Sequence, residues 1–159
     1  VERELRRAHR SLEVDDPIAR AAAELSAGFP ARCLTCLESV TGGDRAAIDL
    51  RVRAFLDEGD VAGARAASDA GGEATARVTR ARVALAERRL TTVLELLQAE
   101  PNLDRQERLL LASAWYECGD GPRAQAALRE LSVGDDAVAI EAEHVLAAWI
   151  DLSAGHSHR

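Results

Sequence analysis

One turn phrase returns through this chain at a nearly fixed period. It reads Ser26-Ala27-Gly28-Phe29-Pro30-Ala31-Arg32-Cys33, then Asp57-Glu58-Gly59-Asp60-Val61-Ala62-Gly63-Ala64, then Glu117-Cys118-Gly119-Asp120-Gly121-Pro122-Arg123-Ala124. A weaker copy, Ala86-Glu87-Arg88-Arg89-Leu90-Thr91-Thr92-Val93, fills the gap before the last. In each copy a small or β-branched residue follows five positions after the Gly, or after Arg88. Successive copies lie 31, 29 and 31 residues apart. A period in this range marks a stack of helical hairpins, each burying its apolar face against its neighbours. Such stacks characteristically bind other proteins and do no chemistry of their own.

The breakers between the copies divide the chain into short helices. Asp16-Pro17 is an N-cap followed by Pro at the first helical position, where its missing N–H removes no helix bond. That helix runs to about Ser26, and a second spans about Pro30 to Val40. Helices are then expected at roughly 45–58, 61–70, 73–87, 90–99, 104–118, 122–131 and 136–152. Asp44 is placed to cap the third, and Asp104-x-x-Glu107 reads as a capping box. The apolar spacing is helical, as in Ile48, Val52, Phe55, Leu56 and in Leu109, Ala112, Trp115, Tyr116. Almost no strand is expected. The resulting organisation is an N-terminal helix in 1–13, a repeat array over 14–152 and a polar tail over 153–159.

On these residues the chain resembles the tetratricopeptide repeat (TPR) family. That family places a small residue in the middle of each first helix, and Ala21, Val52, Ala81 and Ala112 stand there. It places another early in each second helix, matched by Cys33, Ala64, Val93 and Ala124. A large residue near the end of the first helix is matched by Phe55, Trp115 and Trp149, with Ala84 in the third pair. The copies here are shorter than the family's usual repeat, its closing Pro appears only as Pro101, and Gly71-Gly72 falls where a helix should still pack. The resemblance implies an all-α, right-handed superhelix: a TPR-like solenoid of about four helix hairpins closed by the helix 136–152. Other helical-hairpin solenoids share the same pattern.

In that family the first helices line a concave groove. Carried over position by position, the groove takes Asp49, Arg53 and Leu56 from the second pair. It takes Val78, Arg82 and Leu85 from the third, and Gln106, Leu109, Ser113 and Tyr116 from the fourth. Arg53 and Arg82 become equivalent residues whose guanidinium forks suit a carboxylate or phosphate. The competing reading pairs Arg53 with Asp49 or Asp57 on its own helix. It makes the rest of the Arg-rich run 77–89 a solvated face answering acids on the next repeat. The chaperone-tail clamp of some family members needs Lys and Asn, whereas this chain has no Lys and a single Asn, Asn102.

Composition narrows the function classes further. The net charge of −7 argues against a direct nucleic-acid binder or an anionic-membrane binder, which need basic surfaces. All 20 basic residues are Arg, which fits the codon usage of a GC-rich bacterial genome. The lack of any Met leads us to expect a piece of a longer protein. No stretch approaches a membrane span, and nothing resembles a signal peptide. The three Cys form no disulfide framework, so a reducing cytoplasm is the simplest expectation.

No motif calls for a cofactor, a metal or a catalytic residue. Cys33-x-x-Cys36 lacks a second pair for a metal site, and Cys33 falls on a packing position, so both read as buried small hydrophobes. His9 and His144 are single helical histidines, and His156 and His158 lie in the polar tail. The expected role is a non-catalytic module binding a protein or peptide partner, as part of a larger bacterial regulatory or signalling protein. Two alternatives stand beside it. One is a self-association or scaffold domain, a homodimer using its terminal helices through Val145, Trp149 and Ile150. The other is the regulatory domain of an enzyme whose catalytic part lies elsewhere.

Overall fold

The computed structural model describes residues 16–129, and among these residues every regular element is helical. The helices are α1 Pro17–Ser26, α2 Pro30–Leu37, α3 Arg45–Asp57, α4 Val61–Gly71, α5 Arg77–Ala86, α6 Leu90–Leu97, α7 Arg105–Glu117 and α8 Gly121–Arg129. They form four consecutive hairpins, α1–α2, α3–α4, α5–α6 and α7–α8, with the two helices of each packed together. The chain divides into two units at Ala76/Arg77, with two of these hairpins in each. Within the first unit α2 packs on α3 and α1 on α3; within the second, α6 packs on α7 and α5 on α7. The N-terminal helix in 1–13, the helix 136–152 and the tail expected from the sequence lie outside the described residues.

The repeated phrase folds the same way each time. Gly28, Gly59, Arg88 and Gly119 take φ of 80, 77, 61 and 81°, the left-handed conformation that ends a helix. Their N–H groups donate three residues back, to Leu25, Leu56, Leu85 and Tyr116 carbonyls, at 2.9–3.0 Å. The next residue, Phe29, Asp60, Arg89 or Asp120, donates five back, to Glu24, Phe55, Ala84 or Trp115, at 2.8–2.9 Å. That same residue's carbonyl accepts the first N–H of the second helix, from Cys33, Ala64, Val93 or Ala124, at 3.0–3.3 Å. One residue thus closes one helix and opens the next, so three residues suffice to join each antiparallel pair.

Packing follows the same register. Ala21, Val52, Ala81 and Ala112 in the first helices, and Cys33, Ala64, Val93 and Ala124 in the second, are all 0% exposed. Small side chains at these eight positions let the helix backbones approach closely. Larger apolar residues surround them. In the first unit Leu25, Leu37 and Leu50 join Ala21 and Cys33; in the second Leu97 joins Ala81, Ala84, Val93 and Ala114. Asp16, Asp44, Asp60, Asp104 and Asp120 each cap a helix by accepting a backbone N–H, as Asp44 does from Ala46 and Ala47 at 2.8 and 3.1 Å.

One expected helix is corrected. The span 73–87 becomes a short 3₁₀ turn, Gly72–Ala74, followed by α5 from Arg77. Gly71 ends α4 against α3, where a Cβ would collide with Thr75 Oγ1 and lie 2.7 Å from Ile48 Cδ1. Gly72 then turns with φ 52°, and buried Thr75 donates its hydroxyl to the Ser68 carbonyl at 2.7 Å. That bond holds Thr75 extended, so the helix restarts only after it. The second helix also ends earlier than expected, at Leu37. Arg51 Nη2 of α3 collects the Leu37 and Val40 carbonyls at 2.8 and 2.6 Å, the first of which also accepts the Val40 N–H at 3.0 Å.

The register gives a direct test on one helix. Ala64→Leu, which overfills a closed contact, should lower stability by about 1–3 kcal/mol. Ala62→Leu, on the exposed side of α4, should change it by less than about 0.5 kcal/mol. Urea unfolding of the two variants measures the difference.

Candidate partner-binding surface

Seven of the ten residues expected in a groove lie in the second unit, on α5 and α7. Arg82 of α5 reaches across and donates from Nη2 to Gln106 Oε1 of α7 at 2.9 Å. The bond sets the Gln106 amide beside the positive charge of Arg82. Val78 is half-buried, and Gln106 is exposed. Leu85 is half-buried against the core around Ala81 and Ala84, and Leu109 and Tyr116 against that around Ala112, Ala124 and Leu128. Much of their apolar area is therefore already covered by the protein itself. Ser113 donates its hydroxyl back to the Leu109 carbonyl at 2.9 Å.

The other three residues lie on α3 in the first unit. Arg53 Nη1 stands 3.9 Å from Asp49 Oδ2, one helical turn away, and Leu56 is half-buried. This is the intrahelical pair the sequence offered as the competing reading. Arg53 and Arg82 belong to different units, and their equivalence is one of repeat register alone. Val145, Trp149 and Ile150 lie outside the described residues, as do all four histidines. Trp115 is half-buried, and the Arg123 guanidinium carbon sits 4.6 Å from the centre of its ring, so this Trp packs within its own hairpin.

The strongest electrostatic feature of the second unit went unrecognised in the sequence. Arg77, the first residue of α5, donates from Nε and Nη2 to the two carboxylate oxygens of Glu107 at 2.8 and 3.1 Å. Its Nη1 stands 2.6 Å from Glu100 Oε1, after α6. Glu107 is buried and closes the capping box: its N–H donates to Asp104 Oδ1 at 2.8 Å, and its Oε2 accepts from the Asp104 N–H at 3.1 Å. One guanidinium thereby ties the start of α5 to the end of α6 and the start of α7. The capping box was legible as Asp104-x-x-Glu107. The partner 30 residues upstream was not, because only packing brings Arg77 to it. The expectation that the Arg-rich run answers acids on the next repeat holds for Arg77 and also for Arg88, whose Nη1 stands 2.7 Å from Glu117 Oε2.

Hydrogen bonding from Arg77 holds the Glu107 carboxyl below the ordinary carboxylate range; burial opposes this, and the Asp104 N–H adds to it. The hydrogen bonds that Arg77 donates to Glu107 and Glu100 in turn keep it protonated. Cys33 behaves in the opposite sense. Burial pushes its thiol upward, and neighbouring Cys36 adds to this against the opposing charge of Arg53. A buried neutral thiol is a poor nucleophile, in keeping with a packing role. The three cysteines are free. Among the described residues no group of three His, Cys, Asp or Glu side chains is arranged to hold a metal, and no helix is long and apolar enough to cross a membrane.

Comparison with family models, with characterised proteins and with solved structures gives no significant match to this chain. Its own internal register is therefore the basis for a functional reading.

The Glu107 node sets an acid limit on stability. A depressed carboxyl contributes stability that is fully present above its unfolded pKa and is lost as pH falls through the folded value. Glu107→Gln keeps the shape and an acceptor for the Asp104 N–H but removes the charge. It should cost about 2 kcal/mol near neutral pH. The deficit should shrink below about pH 4, where the native carboxyl also protonates. Thermal unfolding of both proteins across that range measures it.

Proposed function

We propose that this chain is a TPR-like repeat array whose successive first helices form a concave face that binds a peptide or partner domain, without catalysis. The observation that carries the reading is the repetition of one hairpin in detail: four left-handed turns and eight fully buried packing positions at spacings of 31, 29 and 31. A repeat of this length is the mark of a stack of helical hairpins. The contacts of α1 with α3 and of α5 with α7 support that arrangement within each unit.

On this reading the α5–α7 face supplies recognition in the second unit. Arg82 and the Gln106 amide donate to a carboxylate or backbone carbonyl of the ligand, while Val78 offers apolar contact beside them. Leu85, Leu109 and Tyr116 serve mainly as support, since they are partly covered by the core. The ligand class is an acidic peptide segment, and its setting is a bacterial regulatory or signalling protein.

Selection of a displayed random-peptide library on the purified chain tests the proposal. Enrichment of acidic peptides is expected, with affinity falling roughly tenfold or more in Arg82→Ala, the loss of a charge-assisted contact. Arg65→Ala, on the exposed side of α4, should leave binding unchanged. Absence of any enriched acidic class, or equal affinity of the Arg82→Ala protein, would rule this face out.

A further inference from the structure

The four turns of one register serve as controls for each other, and one departs. Arg88 takes φ 61° where the other three positions are Gly28, Gly59 and Gly119. An L side chain crowds the backbone in this region, which is why glycine fills it elsewhere. The Arg88 turn nevertheless keeps both closing bonds, from the Arg88 N–H to Leu85 O at 2.9 Å and from the Arg89 N–H to Ala84 O at 2.8 Å.

What the arginine adds is a tie that glycine cannot make. Its Nη1 stands 2.7 Å from Glu117 Oε2, on the last residue of α7 in the following hairpin. The C-terminal end of a helix disfavours an acid, so Glu117 gains from a nearby positive charge. The Arg88 side chain is 73% exposed and that of Glu117 26%, which leaves the pair open to screening by salt. The other charges at this turn are Arg89 and Glu87, which pair with each other, Arg89 Nε donating to Glu87 Oε2 at 2.6 Å.

We propose that the Arg88 turn is an ionic latch: a strained joint held closed by the charge of Glu117, which loosens when that charge is removed or screened. The three glycine turns carry no such strain and do not respond. The latch joins the end of α5 to the end of α7, the two helices that Arg82 and Gln106 also bridge. Opening it releases the Arg88 turn alone, because Arg77 with Glu107 and the core around Ala81, Val93 and Ala114 still hold the two hairpins together. The inference stands on the turn geometry and is independent of whether the α5–α7 face binds a ligand.

Residue-resolved amide hydrogen exchange on the full chain tests it. The Arg88 and Arg89 amides should exchange faster than the paired amides of the three glycine turns. Glu117→Gln, or salt raised to about 0.5 M, should each accelerate them a further roughly threefold, the size expected of an exposed ion pair. Arg88→Gly should slow both amides and abolish the salt response. Exchange at Arg88 and Arg89 that ignores both Glu117→Gln and salt would overturn the latch. So would an equal acceleration at Gly59, Asp60, Gly119 and Asp120, which marks general loss of stability.

Discussion

The left-handed residue at the end of each first helix is the constraint on which the hairpins depend. With that residue in place, its own N–H and that of its successor satisfy the last open carbonyls of one helix, and the successor's carbonyl starts the next. Only three residues join the helices of each pair, so the two lie antiparallel at a spacing fixed within a few residues of the turn. The small residues at Ala21, Val52, Ala81 and Ala112 and their partners five residues after the turn follow from this. A larger side chain there would force apart helices that the turn holds together. Backbone geometry thus selects the side chains, and the buried core is built outward from those contacts.

Within that frame, equivalent positions flanking the turn are free to use different chemistry. Glu24 and Arg32 pair as ions at 2.9 Å. Phe55 and Gly63 stand in the same register, the ring lying where a Gly63 Cβ would be only 2.8 Å away. At Trp115 and Arg123 the contact is a cation over a ring at 4.6 Å. An ion pair, a ring against bare backbone and a cation–π contact each span one turn of similar shape. The repeat is conserved within the chain as geometry, and its chemistry drifts from copy to copy. This explains why the period is plain in the turns and faint in the residues beside them.

In the second unit charge ties one hairpin to the next. Arg77 gathers the ends of three elements through Glu100 and Glu107, and Arg88 reaches Glu117, so cations that look like a solvated run in sequence tie one hairpin to the next. The proposed recognition face centres on Arg82, which donates to Gln106 Oε1 on α7. Arg53, its counterpart in register, spends its charge on Asp49 within α3. Equivalent in register, the two arginines reach different partners, one within its own helix and the other on the next hairpin.

The sequence alone determined the hairpins. Turn residues, N-cap aspartates and small residues act over a handful of positions, and each leaves a local mark: Gly28 and Gly59 for a left-handed φ, Asp44 and Asp104 for a cap, Ala64 for a close crossing. Even Arg88 could be placed in the series by its spacing from the glycines. Tertiary structure alone decided the partners of the long charged side chains and the break after α4. Arg77 meets Glu107 because α5 packs on α7, and Thr75 turns back to Ser68 because Gly71 lets α4 lie close to Ile48. Such pairings depend on where helices meet in space, and a flexible arginine carries no record in its neighbours of which acid it will reach.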